Sequence, residues 1–125
     1  MRYMMIVKGT QASEAGVMPT AAKMAEMSAY NERLIKAGVL VDAAGLKPTS
    51  KGAKIRFAGG SRNLIHGPFR DAKDIFSGFW IIEVKSHEEA IEWAMKAPNP
   101  AVEDADGEIE LRPFFAEEDF AEIHG

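Results

Sequence analysis

The run Phe79-Trp80-Ile81-Ile82-Glu83-Val84 is dense in β-branched and aromatic residues and is opened by Gly78, which makes it the clearest strand in the chain. Its apolar side chains fall on both sides of the pleat, with Phe79 and Ile81 on one side and Trp80, Ile82 and Val84 on the other. The opening run Arg2-Tyr3-Met4-Met5-Ile6-Val7, closed by Gly9, repeats the pattern: Met4 and Ile6 stand opposite Tyr3, Met5 and Val7. Strands that are apolar on both faces require cover on both faces.

Between these strands, Thr20 to Ala37 places Met24, Met27, Tyr30 and Leu34 at helical spacing before Gly38 stops the helix. An extended run from Val39 ends near Gly45-Leu46, and Pro48, Ser50 and Gly52 mark a loop. Ala53 to Phe57 alternates with period two, Gly59-Gly60-Ser61 turns, and Asn63-Leu64-Ile65 returns, so a hairpin is expected. Gly67-Pro68 is a turn signal, and Asp71 to Ile75 reads as a single helical turn. Ser86 and Glu89 have capping-box spacing, ahead of a helix whose apolar face is Ala90, Ile91, Ala94 and Met95 up to Pro98. Glu108 to Arg112 alternates and Pro113 ends it, leaving residues 114–125 as an acidic tail with Phe114, Phe115 and Phe120.

The order strand, helix, strands, helix, strand is that of the α+β, ferredoxin-like split βαβ arrangement, with both helices on one face of an antiparallel sheet. The second sheet face is then bare yet apolar. At about 25 cal/mol per Å² its cover is worth a good deal, and a partner sheet is the simplest cover, so an isologous homodimer is expected.

A length of 125 residues fits one domain, residues 1–125. With 46% hydrophobic and 27% charged residues the composition is that of a globular chain. A formal net charge of -4 argues against a polyanion binder, so no nucleic acid partner is expected. No apolar run approaches the roughly 18 residues of a membrane span, and the opening lacks a secretory pattern, so no membrane partner and a cytoplasmic location are expected. With no cysteine, disulfides, thiolate metal sites and a cysteine nucleophile drop out.

His66-Gly67-Pro68-Phe69, followed by Arg70-Asp71-Ala72-Lys73-Asp74, resembles the signature of the DGPF family of YCII-related proteins, roughly D-G-P-F-x-E-x-K-E. Ala37-Gly38-Val39-Leu40, Gly78-Phe79-Trp80, Glu89-Ala90-Ile91-Glu92-Trp93-Ala94 and Arg112-Pro113 look like further family landmarks in family order. The resemblance covers nearly the whole chain. It implies a dimeric α/β-barrel fold, related to muconolactone isomerases and to dehalogenating lyases, and a family often encoded beside extracytoplasmic-function sigma factors. A fold shared with enzymes does not by itself confer their chemistry.

The family's leading Asp is His66 here, and its two Glu positions are Asp71 and Asp74. If the Asp carries a proton, His66 replaces it with a group whose reference pKa lies near about 6.5. If the Asp only anchors the turn, His66 does so less well. His66, Asp71 and Lys73, close together around a Gly-Pro turn, offer an acid or base, an orienting carboxylate and a cation; the plainer reading is that Asp71 caps a helical turn with Lys73 solvated outside it. Arg112 either grips an anionic substrate or pairs with a carboxylate across the strands, and Tyr30 and Trp80 either line a pocket or fill the core. Asp42 is either buried with a partner or at a strand end. His87 lies in a first helical turn and His124 in the tail, and the spacing of the histidines gives no metal signal.

These features point to a lyase or isomerase that needs neither cofactor nor metal and acts by acid/base catalysis on a small anionic or carbonyl metabolite. The alternatives are a non-catalytic small-molecule binding or regulatory module and a protein-interaction partner.

Overall fold

The computed structural model describes residues 1–103 and 105–124, with side chains as far as residue 121. β1 (Arg2–Lys8) is an inner strand of a four-stranded sheet with β2 (Leu40–Gly45), β5 (Phe76–Glu83) and β6 (Ile109–Pro113), in the order β2-β5-β1-β6. Every neighbouring pair is antiparallel. The helices α2 (Ala21–Lys36) and α3 (His87–Met95) follow β1 and β5, so the chain has the expected α+β, split βαβ order. A separate two-stranded sheet, β3 (Ala53–Ala58) with β4 (Ser61–His66), is inserted between β2 and β5. The larger sheet ends at β2 and β6, so the described strands of one chain form no closed barrel.

Strand alternation builds the core. Tyr3, Met5 and Val7 of β1 and Trp80 and Ile82 of β5 face the helices, where they meet Tyr30 and Leu34 of α2 and Ala90 of α3. The other pleat face carries Met4 opposite Ile81 and Ile6 opposite Phe79, all four partly buried. Among the described residues, no helix is long and apolar enough to cross a membrane.

Packing corrects several local expectations. α2 starts where Thr20 accepts the Lys23 N–H, and Gly38 and Val39 return N–H bonds to the carbonyls of Ile35 and Leu34. Its apolar stripe enters the core only from Met27 onward, and Met24 is exposed. α3 turns a different stripe inward: Ala90 is buried and Trp93, Ala94 and Ala97 pack on the core, whereas Ile91 and Met95 face outward, Met95 being 81% exposed. Both stripes are apolar, and the one carrying the Trp93 ring packs on the core. The capping box is half formed. Ser86 Oγ accepts from Glu89 N, but Glu89 Oε2 reaches the Lys85 N–H rather than that of Ser86.

The stretch after β1 holds a short helix, α1 (Gln11–Glu14), where Thr10 and Ser13 close a reciprocal cap. β5 begins two residues before Gly78, which lies within the strand opposite Gly45. The hairpin turn is Gly59-Gly60 alone, at φ +57 and +78, with Ser61 already in β4. A two-residue turn matching strand twist needs positive φ at both positions, which glycine adopts without strain. The tail forms a helix, α4 (Glu117–His124).

Candidate functional site

The segment carrying the motif runs from His66, the last residue of β4, to Asp74. Three anchors hold it. Gly67 N donates to Gly52 O at 3.0 Å across the foot of the hairpin. Phe69 N donates to Thr49 Oγ1 at 2.9 Å, and Thr49 is itself fixed by Glu14, whose carboxylate accepts from both its N–H and its hydroxyl. Lys54 Nζ pairs with Asp74 Oδ2 at 2.5 Å and lies 4.3 Å above the centre of the Phe69 ring. The Gly67-Pro68 peptide is cis.

On this scaffold Asp71 caps the 3-10 turn Ala72–Asp74, its Oδ1 accepting the Lys73 N–H at 3.2 Å and its Oδ2 lying 3.4 Å from Lys73 Nζ. The Lys73 backbone N–H, followed by its ammonium, holds the Asp71 carboxyl below its ordinary range. Asp71 and Lys73 are thus brought together as an exposed pair: Asp71 caps the turn, as in the plainer reading, but Lys73 lies against it. The His66 imidazole is exposed and has no hydrogen-bond partner among the described residues.

The other candidates lie elsewhere. Arg112 is on β6, the edge opposite β2, and pairs at 3.2 Å with Glu110, which also holds Lys8 at 3.0 Å. Those two cations, Lys8 first, depress the Glu110 carboxyl. Tyr30 and Trp80 are core residues, 2% and 5% exposed, their rings edge to face at 5.3 Å. Tyr30 donates to Trp93 O at 2.7 Å, and burial pushes its hydroxyl up to about 12. Trp80 Nε1 donates to Asn31 Oδ1 at 2.7 Å. Asp42 is exposed and accepts the N–H of Ala43 beside a bulge in β2. The side chain of His124 lies outside the described residues.

Three participants escaped sequence reading. Lys54 and Glu14, remote in sequence from the motif, fix Asp74 and Thr49. His87 shares a 3.1 Å hydrogen bond with the hydroxyl of the buried Tyr3. Only the place of His87 in the first turn of a helix was visible in the sequence. Apart from this segment, a cleft of about 560 Å³ opens beyond the end of α3, with Met95, Pro98, Asn99, Asp106 and Ile109 among its lining residues.

A ferredoxin-like α+β sheet with an inserted hairpin, whose foot carries the His-Gly-Pro-Phe segment, defines the class of this protein. The family model of the YCII-related domain matches residues 1–116, and the chain belongs to that family. An uncharacterised protein of Rhizobium meliloti (strain 1021) is 33% identical over 92 residues, which span 72% of this chain and 71% of that protein. Among solved structures, the chain is similar to the 5-chloro-2-hydroxyhydroquinone dehydrochlorinase of Burkholderia phenoliruptrix AC1100, in complex with 2,5-dihydroxybenzoquinone. The two share 19% identity at a TM-score of 0.42, over 94% of this chain and 98% of that one.

Proposed function

We propose that this YCII-related protein is a cytoplasmic, cofactor-free lyase or isomerase that moves a proton on a small anionic or carbonyl-bearing metabolite, with His66 as the acid or base. The supporting observation is that the segment is anchored through Gly67, Phe69 and Asp74, and none of these anchors uses the His66 side chain. A proton carrier has to be placed by its scaffold while keeping its own nitrogens available, and His66 meets both conditions. Lys73, steadied by Asp71, supplies positive charge for a developing anion. A homodimer formed over the Met4, Ile6, Phe79 and Ile81 face would bring a second chain toward this surface and enclose it.

The test begins with a metabolite screen by thermal shift, followed by turnover assays on the hits. Because His66 is exposed, His66→Ala should fold normally and lose turnover, while His66→Asp should retain part of it with the pH profile displaced toward acid. Full activity in His66→Ala would remove His66 from the mechanism.

A second reading, binding without catalysis, is favoured by the cleft beyond α3, whose volume suits a small ligand. A ligand recovered unchanged, with amide shifts at Met95 and Ile109 rather than at His66, would select it.

A further inference from the structure

The hairpin is an arm with an unburied apolar stripe. In its register Ile55 stands opposite Leu64 and Phe57 opposite Arg62, which places these four side chains on one face. Ile55, Phe57 and Leu64 are 53%, 66% and 58% exposed, and the Arg62 guanidinium lies 4.9 Å over the Phe57 ring. The opposite face carries Lys54, which is tied to Asp74 and Phe69, so it is the stripe that is turned away from the body. Residues 51–66 contain Lys51, Lys54, Arg56 and Arg62 and no carboxylate, in a chain whose net charge is -4. An isolated two-stranded hairpin is only marginally stable in water, and covering its apolar face would stabilise it.

The complementary surface is the tail. Residues 114–125 contain Glu117, Glu118, Asp119 and Glu122 and no Lys or Arg. Phe115 is 75% and Phe120 48% exposed, and their rings lie 5.2 Å apart beside the acidic first turn of α4. Arm and tail leave the sheet far from each other. The arm departs from β2 and returns at Phe76, opposite Lys8, whereas the tail departs from edge strand β6 at Pro113, opposite Tyr3, with Phe114 N bonded to Arg2 O. These exits are at opposite edges and opposite ends of the sheet, so the tail best placed to reach one arm belongs to another molecule.

We propose that the basic, apolar arm of one copy receives the acidic, phenylalanine-bearing tail of a second copy, reciprocally, so that two arm–tail contacts clasp a homodimer. Phenylalanine rings cover the Ile55, Phe57 and Leu64 stripe while the α4 carboxylates face Arg62, which shares that face. Two-fold symmetry makes both contacts at once, and their mutual tethering strengthens each.

The chain lacks cysteine, so a direct test is available in the full-length protein. Phe57→Cys and Phe120→Cys chains carrying different tags are mixed and mildly oxidised. A disulfide-linked heterodimer is expected at several-fold the yield given by a Lys36→Cys control paired with Phe120→Cys. Reversing Glu117, Glu118 and Asp119 to Lys in the Phe120→Cys chain should lower that yield about tenfold at low salt, and adding Arg62→Glu to the Phe57→Cys chain should restore part of it. Yield no higher than the control, or indifferent to charge reversal, overturns the clasp. Preferential capture of acidic peptide or nucleic acid by the arm, with no tail cross-link, also overturns it. Sedimentation of the tail-reversed chain reports separately on pairing through the sheet face, and His66→Ala turnover reports on the catalytic reading, so each failure is distinguishable.

Discussion

Gly67 and Thr49 touch through their main chains: a β-carbon on Gly67 would overlap the Thr49 carbonyl oxygen. The glycine of the His-Gly-Pro-Phe segment is therefore a packing requirement, because it lets the foot of the hairpin close onto the 3-10 turn Thr49–Lys51. Backbone meets backbone there, so no side chain can rotate to relieve the overlap.

Gly67→Ala should accordingly destabilise the protein by at least about 2 kcal/mol and loosen the segment that carries His66. Urea denaturation measures the loss. Amide exchange at Phe69 and Asp74 should accelerate as well; a variant with unchanged midpoint and protection would show that the contact is dispensable.

Leu34 and Ile35 are neighbours in α2 with opposite environments, 0% and 61% exposed. Leu34→Ala should cost about 2–5 kcal/mol through lost burial and a cavity beside the sheet, whereas Ile35→Ala should stay within about 0.5 kcal/mol. Equal losses in thermal unfolding would refute the orientation of the helix.

The Tyr30 hydroxyl, at about 12 against an ordinary 10.0, is raised by burial. Its neutral form therefore contributes stability that is whole below pH 10 and is lost as the pH climbs through its folded value. Tyr30→Phe should cost about 1 kcal/mol at neutral pH, since the Trp93 carbonyl keeps its bond from Lys96, and should flatten the alkaline decline. An alkaline unfolding curve with the same slope in both proteins would count against this account.

For Asp71 the sign is reversed. Its depressed carboxyl stabilises the fold above the ordinary carboxylate range, and that contribution disappears as the pH falls through the depressed value. Because the Lys73 backbone N–H is the leading cause, Lys73→Met should raise the Asp71 titration midpoint only part of the way back. Carboxyl-carbon NMR titration reads this directly, and full restoration would assign the depression to the ammonium instead.

Much of the architecture was legible in the residues themselves. Short apolar runs marked β1 and β5, period-two alternation marked β3 and β6, Thr20 and Gly38 bracketed α2, and the paired glycines located the hairpin turn. These signals are local: they act through backbone preference and through the facing of neighbouring side chains. The motif segment was visible too, but its anchoring was not, since Lys54 and Thr49, the latter held by Glu14, meet it only across the fold.

Sequence alone thus determined the six strands and the two helices that pack on the sheet, α2 and α3, and it placed His66, Asp71 and Lys73 on one short segment. Tertiary structure decided which apolar stripe of α3 turns inward, that Asp71 and Lys73 lie against each other, and that Tyr30 and Trp80 belong to the core. The physical reason is that periodicity identifies candidate faces, whereas the choice among them is made by packing volume and by hydrogen-bond partners that the chain brings from afar.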